Sequence, residues 1–413
     1  MATTAAALPQ RSPWVLVIAG CLIAMVTLGV RAIFGLFVEP LSQAHGWGRE
    51  IFAFAIALQN LVWGAAQPFA GAFADRFGAA RVLAGGGLVY AAGVALMAMS
   101  PTPLAVTLSG GVIVGLGLAG ASFTIVLAAL GRLLPTHKRS WGLGIATASG
   151  SLGQFLFAPV GQAFISGYGW QTALMLLALF VAVVPLMSPP LAGRADQTVD
   201  ADEADLRFTD ALRLAGGHGS YWLLVAGFFV CGFHVTFIAV HLPPYLVDLG
   251  VGSSIAAWAI GVIGLFNVVG AYASGVLGGR HSKRHLLSLL YTGRAAAIAV
   301  FLVLPKTPLV VLGFGAIMGL LWLSTVPLTS GLVAVMFGTR YLGTLFGFVF
   351  FSHQVGAFLG VWLGGFVYER TGSYDPVWWL GIALGLFAAL VHWPIRERRV
   401  PAFAAAVSPV RDS

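Results

Sequence analysis

The sequence predicts an all-α membrane protein with twelve transmembrane helices in two six-helix bundles, and three observations carry the prediction. Composition is the first: of 413 residues, 59% are hydrophobic and 9% charged. Mean hydropathy is +0.92, far from the mix of a soluble domain. The second is the recurrence of apolar runs of roughly 20 residues, each enough to cross about 30 Å of hydrocarbon at 1.5 Å per residue. The third is a single long polar stretch, "PLAGRADQTVDADEADLRFTDALRLAGGHG", which holds six of the 14 acidic residues and parts six runs from six.

In order, the predicted spans are 14–38, 50–74, 80–99, 104–130, 140–165, 170–189, 221–247, 253–278, 285–304, 308–333, 342–367 and 375–395. The first is too long for the core of a signal peptide and has no small-residue cleavage site behind it, so it reads as a permanent helix. The domain organisation follows: residues 1–189 form one bundle, 190–220 a cytoplasmic linker, 221–395 the second bundle and 396–413 a tail.

The net charge of +8 does not point to a nucleic-acid partner, because the basic residues crowd alternate loops. They are Arg76 and Arg81; Arg132, Lys138 and Arg139; Arg280, Lys283 and Arg284; and Arg396, Arg398 and Arg399, against Arg49, Lys306 and Arg370 on the other side. That is a positive-inside pattern with both termini cytoplasmic, and the expected location is a bacterial inner membrane. Cys21 and Cys231 fall inside apolar runs as small buried residues, with neither disulfide nor metal spacing.

An internal repeat supports the two bundles. Displacing the first half by 203 positions sets Gly29 on Gly232, Phe34 on Phe237 and Pro40 on Pro243, and in the fifth and eleventh spans Gly144, Ser149, Gly153 and Gly161 on Gly347, Ser352, Gly356 and Gly364. One offset serving two separate helix pairs favours a parallel repeat of the transporter kind. The same offset sets Arg31 on His234.

The segment "GAFADRFGAARVL", with Gly71, Asp75, Arg76, Gly78 and Arg81, resembles the loop signature of the major facilitator superfamily. The resemblance extends over nearly the whole chain and implies that this cluster is a cytoplasmic gate latch and not a substrate site. Physically, Gly71 permits close helix approach, and Asp75 at a helix end can pair with a nearby cation or helix N-terminus. The second copy, "GVLGGRHSKR", keeps the glycines and basic residues but has no acid. The latch is therefore expected to be asymmetric.

A narrower resemblance lies in "HKRSWGLGIATASG", which is similar to the fifth-helix entrance of monocarboxylate transporters, a basic triplet followed by Gly144, Ala146 and Ala148. Small residues at these spacings also serve plain helix packing. The chain departs from that branch in three places. The acidic-glycine opening of animal members is missing from "RSPWVLVIAG", Ala271 stands where the carboxylate-binding arginine is expected, and Asn267 where an aspartate is common. In the related oxalate and formate exchangers an eleventh-helix lysine serves, and the matching position in "FSHQVGAFLG" is His353. The resemblance thus implies an organic-anion transporter whose site cations are redistributed.

Arg31, in "TLGVRAIFGLFVEP", is the leading site candidate. It stands nine residues before Pro40, roughly 13 Å at helical rise. A charge at that depth costs at least about 2.5 kcal/mol, so it needs a wet cavity or a partner. No acidic residue falls in a helix core; Glu39 and Asp75 come closest. An unpaired guanidinium in a central cavity is a counter-charge for an anion, which it holds through two parallel hydrogen bonds. The bland reading is that Arg31 satisfies helix carbonyls or a buried amide such as Asn60.

The remaining substrate-site candidates have weaker grounds. Arg294 is the other intramembrane arginine, in a span that the family resemblance makes peripheral, where bonding to neighbouring helices is the competing role. His234 and His353 can bind an anion when protonated or carry a proton, or merely pack. Gln354, Gln59, Asn60, Gln154 and Asn267 are amides able to orient a substrate or join helices. Phe34, Phe123, Tyr291 and Trp322 can pack against its apolar body.

"GLGLAG" at 115–120 spells the dinucleotide-binding glycine pattern but lies inside a membrane span, where no strand and turn precede it. With no phosphate loop, zinc spacing or nucleophile elbow, the chain is not expected to be an enzyme or to hold a cofactor or metal.

The function expected is secondary active transport of a small organic anion, a monocarboxylate in the first instance, by alternating access. Protons and the lipid bilayer are the other expected partners, and the chain is expected to act as a monomer. Two further classes stay open: a drug or metabolite exporter, and a nontransporting sensor of the same fold.

Overall fold

The computed structural model describes residues 12–192, 207–338 and 341–403. The acidic part of the predicted linker at 193–206, the end of the tail at 404–413 and the side chain of Arg139 lie outside the described residues. The described chain is helical: α1 Pro13–Ala32, α2 Val38–His45, α3 Arg49–Phe77, α4 Ala79–Ala98, α5 Pro103–Val106, α6 Val114–Gly120, α7 Phe123–Leu133, α8 Thr136–Ala182, α9 Val184–Met187, α10 Phe208–Gly216, α11 Gly219–Asp248, α12 Ser253–Arg280, α13 Lys283–Val303, α14 Pro308–Leu321, α15 Thr325–Phe337, α16 Leu342–Thr371 and α17 Asp375–His392.

Among the described residues, eleven stretches are long and apolar enough to cross a bilayer. The twelfth crossing is contained in α8, whose helical hydrogen bonding runs through a kink at Gly169. There φ is 79° and ψ 162°, backbone that glycine adopts without the clash a Cβ brings. The fifth and sixth predicted spans meet at this residue.

Four predicted spans are interrupted, which is a correction to the reading of each as one helix; the sixth is broken near its end, at Val183 between α8 and α9. The first stops at Ala32, passes through a 3-10 turn at Phe34–Phe37 and resumes as α2. The fourth carries a π-helical stretch at Thr107–Ile113 and breaks again between Gly120 and Phe123. The tenth breaks between Leu321 and Thr325. Hydropathy registers none of these, because apolar side chains flank every break and the polar ones within it are small, as at Ser109, Ser122 and Ser324. A mid-membrane break frees backbone groups that need partners, and such backbone is tolerated only where protein supplies them.

The first six crossings pack on one another and the last six do likewise, and the repeat is visible in the packing. The first helix closes on α8 through Gly29 and Gly153; a Cβ on Gly153 would stand 2.1 Å from Met25 O. In the second half α11 closes on α16 through Gly232 and Gly356, where a Cβ on Gly356 would stand 2.0 Å from Phe229 O. Gly144 and Gly347, matched by the same offset, meet nothing within 4 Å. They share the register but do no packing.

The two halves meet along α3 with α16 and α8 with α12. The joint starts near mid-height: Gly64 abuts Gln354, Trp63 faces Phe350 edge-on with centroids 5.5 Å apart, and Asn267 donates to Ser151 Oγ at 2.8 Å. It continues through Phe54 and Phe358 to the end at which α2 meets α3, the far end. Toward the near end, which carries residues 12 and 403, Phe69, Phe73 and Phe77 of α3 are exposed, as are Phe348 and Phe351 of α16. The halves are joined at the far end and part toward the near end.

At the near end the chain after α17 folds back on the second half. Val400 N–H donates to Met336 O, and Glu397 accepts from the Ser282 hydroxyl, the Lys283 backbone N–H and the Lys283 ammonium at 2.8, 3.2 and 3.1 Å. Burial alone raises the Glu397 carboxyl, but these donors outweigh it and hold it below the usual carboxylate range.

Two outcomes follow. Gly356→Val should lower stability by about 1–3 kcal/mol or more through overpacking, seen as earlier thermal unfolding of the purified protein, whereas Gly347→Ala should leave the melt unchanged. Because the Glu397 value is depressed on folding, its anchoring is present above about pH 4.3, the ordinary glutamate value, and is lost as pH falls through the folded one. Exchange of the Lys283 amide, corrected for its intrinsic rate, should therefore accelerate in acid, and Glu397→Gln should abolish that dependence.

Candidate substrate site

Arg31 lies in the last turn of α1, immediately before the break at Ala32. The end of a helix carries its negative dipole and unpaired carbonyls, so a cation is favoured there. Its side chain is part-exposed and crosses to α3, where Nη2 donates to Asn60 Oδ1 at 2.6 Å. The guanidinium lies over the Trp63 ring at 4.9 Å. Among the described residues no carboxylate pairs with it, and Nε is buried without a hydrogen-bond partner.

From Asn60 the contacts pass into the second half. Asn60 is fully buried and donates to Ile56 O at 2.7 Å, while its own backbone carbonyl accepts from Gln354 Nε2 at 3.2 Å. His353 Nδ1 lies 3.0 Å from Gln354 Oε1, so that ring nitrogen is the donor. The His353 ring stacks on Phe350 at 5.8 Å and leans on Phe228 at 5.0 Å. Phe350 returns to Trp63, which closes the circuit. A guanidinium, two amides, an imidazole and three aromatic rings thus share one place at the level where the halves begin to part. The Trp63 indole N–H donates to Gln67 Oε1 at 2.9 Å, and Gln67 in turn donates to the hydroxyls of Ser122 and Thr124 at the break between α6 and α7.

Of the predicted site residues, Arg31, Asn60, His353 and Gln354 come together. The others do not join them. Gln59 donates to Gly110 O in the π-helical stretch, tying α3 to a backbone that has lost its regular pairing. Gln154 donates to Ile260 O across the halves. Asn267 joins Ser151 to the tenth-span break, accepting the Leu323 N–H at 2.9 Å. Arg294, fully buried, donates from Nε and Nη2 to Leu321 O and also reaches Trp322 O. These carbonyls are freed by that break, so Arg294 serves the backbone, and Trp322 is buried at the break itself.

His234 does not share the placement of Arg31 despite the repeat. Its Nε2 donates to Gly381 O on α17 at 2.7 Å. Tyr291 is buried against His392, their rings 5.1 Å apart. Phe34 is buried in the 3-10 turn, and Phe123 is half-buried at the start of α7.

In the predicted latch, Asp75 pairs with Arg132 at 2.6 Å, an exposed ion pair inside the first half. Gly78 takes a φ of 92° between α3 and α4, and Arg76 lies over the Phe77 ring. Arg81 is exposed. The expected close approach at Gly71 is absent: a Cβ there meets nothing within 4 Å, because the halves part at this end.

Trp63, Gln67, Phe228 and Phe350 are members the sequence reading missed. For Trp63, Gln67 and Phe350 the signal was available in spacing. Asn60, Trp63, Gly64 and Gln67 recur at one-turn intervals on one face of α3, as do Phe350, His353, Gln354 and Ala357 on α16.

The Major Facilitator Superfamily family model matches residues 20–360 and again 224–411. An uncharacterized MFS-type transporter of Bacillus subtilis is 26% identical over 88% of this chain and 90% of its own length. Monocarboxylate transporter 13 of Rattus norvegicus is 28% identical over 87% of this chain and 83% of its own. Among solved structures, a D-xylose-proton symporter superposes with a TM-score of 0.73 at 15% identity, covering 94% of this chain and 99% of that one. A bacterial homologue of the lysosomal transporter Spinster, in its inward-facing, occupied conformation, gives 0.74 at 15%, covering 96% and 100%. Two stacked six-crossing halves related by an internal repeat, together with a family match spanning most of the sequence, identify the chain as a member of the Major Facilitator Superfamily and a transporter.

Proposed function

We propose that this transporter moves a small organic anion, a monocarboxylate in the first instance, and that Arg31 is its charge partner. One observation carries the reading: a guanidinium near the middle of the first crossing, at the joint between halves, has an amide and an aromatic ring as neighbours and no carboxylate among the described residues. A carboxylate supplies the missing charge through a two-pronged pair. Trp63 and Phe350 offer apolar faces for the short carbon body beside it. The similarity to monocarboxylate transporter 13 of Rattus norvegicus supports the same substrate class.

In this reading residues 1–189 and 221–395 act as the two moving bundles of an alternating-access cycle, and the basic loops put the near end in the cytoplasm. His353 is the titratable group in the same circuit of contacts, positioned to take up a proton with the anion. An exporter of cationic drugs normally needs an intramembrane acid, and the described membrane core holds none beside Arg31.

The test is uptake of labelled lactate, pyruvate and related acids into proteoliposomes under an imposed pH gradient. Arg31→Ala should raise KM roughly 10–100-fold, the loss of about 1.5–3 kcal/mol of charge-assisted bonding, and Arg31→Lys should recover part of it. Unchanged uptake by Arg31→Ala sinks the proposal. His353→Gln, which keeps hydrogen bonding but cannot titrate, should transport with a weakened response to the gradient.

A further inference from the structure

At the far end, two charged residues sit against their helix dipoles. A cation is disfavoured at a helix N-terminus and an acid at a C-terminus, yet Arg49 opens α3 and Asp248 closes α11. They meet in a two-pronged pair, Nη1 to Oδ2 at 2.6 Å and Nη2 to Oδ1 at 2.7 Å. Arg49 is 6% exposed. Glu39 of α2 pairs with the same guanidinium, the Tyr374 hydroxyl lies at 3.4 Å, and the Tyr368 ring underlies it at 4.4 Å.

The N-terminus of α3 is capped from the other half. Its N-cap, Gly48, has no side chain to offer, and the Arg49 N–H donates instead to Glu369 Oε1 of α16 at 2.7 Å. A Cβ on Gly48 would stand 2.7 Å from Glu369 Cδ, so glycine is what admits the carboxylate. Beside this, Glu50 pairs with Arg370 at 3.5 Å. Among the described residues, the ion pairs that bridge the halves, Arg49–Asp248 and Glu50–Arg370, both lie at the far end. Those at the near end, Asp75–Arg132 and Lys283–Glu397, each stay within one half.

We infer that Arg49 is the far-end latch of the transport cycle, and that Asp248 and Glu39 bias it in opposite directions. Asp248 and Glu369 belong to the second half, so their bonds to Arg49 exist only while the far end is shut. Glu39 belongs to the same half as Arg49 and travels with it. When the halves separate, Glu39 remains as the counter-charge of Arg49. Removing Asp248 therefore weakens only the shut state. Removing Glu39 penalises the open state more, because the shut one still has Asp248. A group shifts the equilibrium only by its differential interaction with the two states.

The experiment reads distance and needs no substrate, so its outcome is independent of the anion proposal. Spin labels go at Ala44 and Val303, exposed far-end positions on opposite halves, in full-length protein with Cys21 and Cys231 replaced by serine. Asp248→Asn should raise the ratio of long to short far-end distances roughly tenfold, as expected for losing a close desolvated pair, and Gly48→Ala should raise it in the same direction. Adding Glu39→Gln to Gly48→Ala, in which Asp248 is kept, should bring the ratio back down. General loosening lengthens the distance in every variant, so if Glu39→Gln lengthens it too, or if Asp248→Asn and Gly48→Ala leave it unmoved, the latch assignment is wrong.

Discussion

A backbone polar group inside the hydrocarbon must find its partner within the protein, a buried side-chain one is costly without it, and that single constraint organises this structure. It acts first on backbone. Where the tenth span breaks, the carbonyls of Leu321 and Trp322 lose their helical donors and Arg294 takes both, while the freed Leu323 N–H finds Asn267. Where the fourth span loosens into a π-turn, Gly110 O is met by Gln59. These side chains look functional in a list of intramembrane polar residues. Their contacts are those of structural supports that let crossing helices be broken without cost from orphaned amides.

The same constraint separates the two intramembrane arginines. Neither has an acid beside it in the described structure, and both stand in apolar sequence. Arg294 makes three bonds to carbonyls at a helix break from Nε and Nη2, with Nη1 buried and unpartnered, and the residue is fully buried. Arg31 has one hydrogen bond to an amide, a ring beneath it, and a part-exposed surface at the joint of the halves. Charge alone ranks them equal; the difference is how much donor capacity the protein itself consumes.

What the sequence disclosed tracks what is local. Span positions, the two-half repeat and the depth of Arg31 depend on residue type along one chain, and hydropathy and offset read them directly. Breaks within spans were hidden because apolar side chains flank them on both sides. Arg49 was hidden for a different reason: read along the chain it is a loop cation, and its partners Asp248 and Glu369 stand 199 and 320 residues away. The repeat misled once. It sets Arg31 on His234, but the imidazole turns to a carbonyl of α17, because sequence register fixes the helix face only approximately and not what stands opposite it.

The glycines show how position within one moving body divides labour. At Gly153 and Gly356 the backbone of a neighbouring helix in the same half fills the space a side chain would need, so each half holds its own core together. At Gly48 the space is filled from the other half by Glu369, and at Gly71 it is empty. Contacts within a half persist through any relative motion of the two, whereas the contact at Gly48 spans the joint between them. A glycine whose neighbour lies across the joint therefore reports the state of the transporter, and one whose neighbour lies within the half reports only its fold.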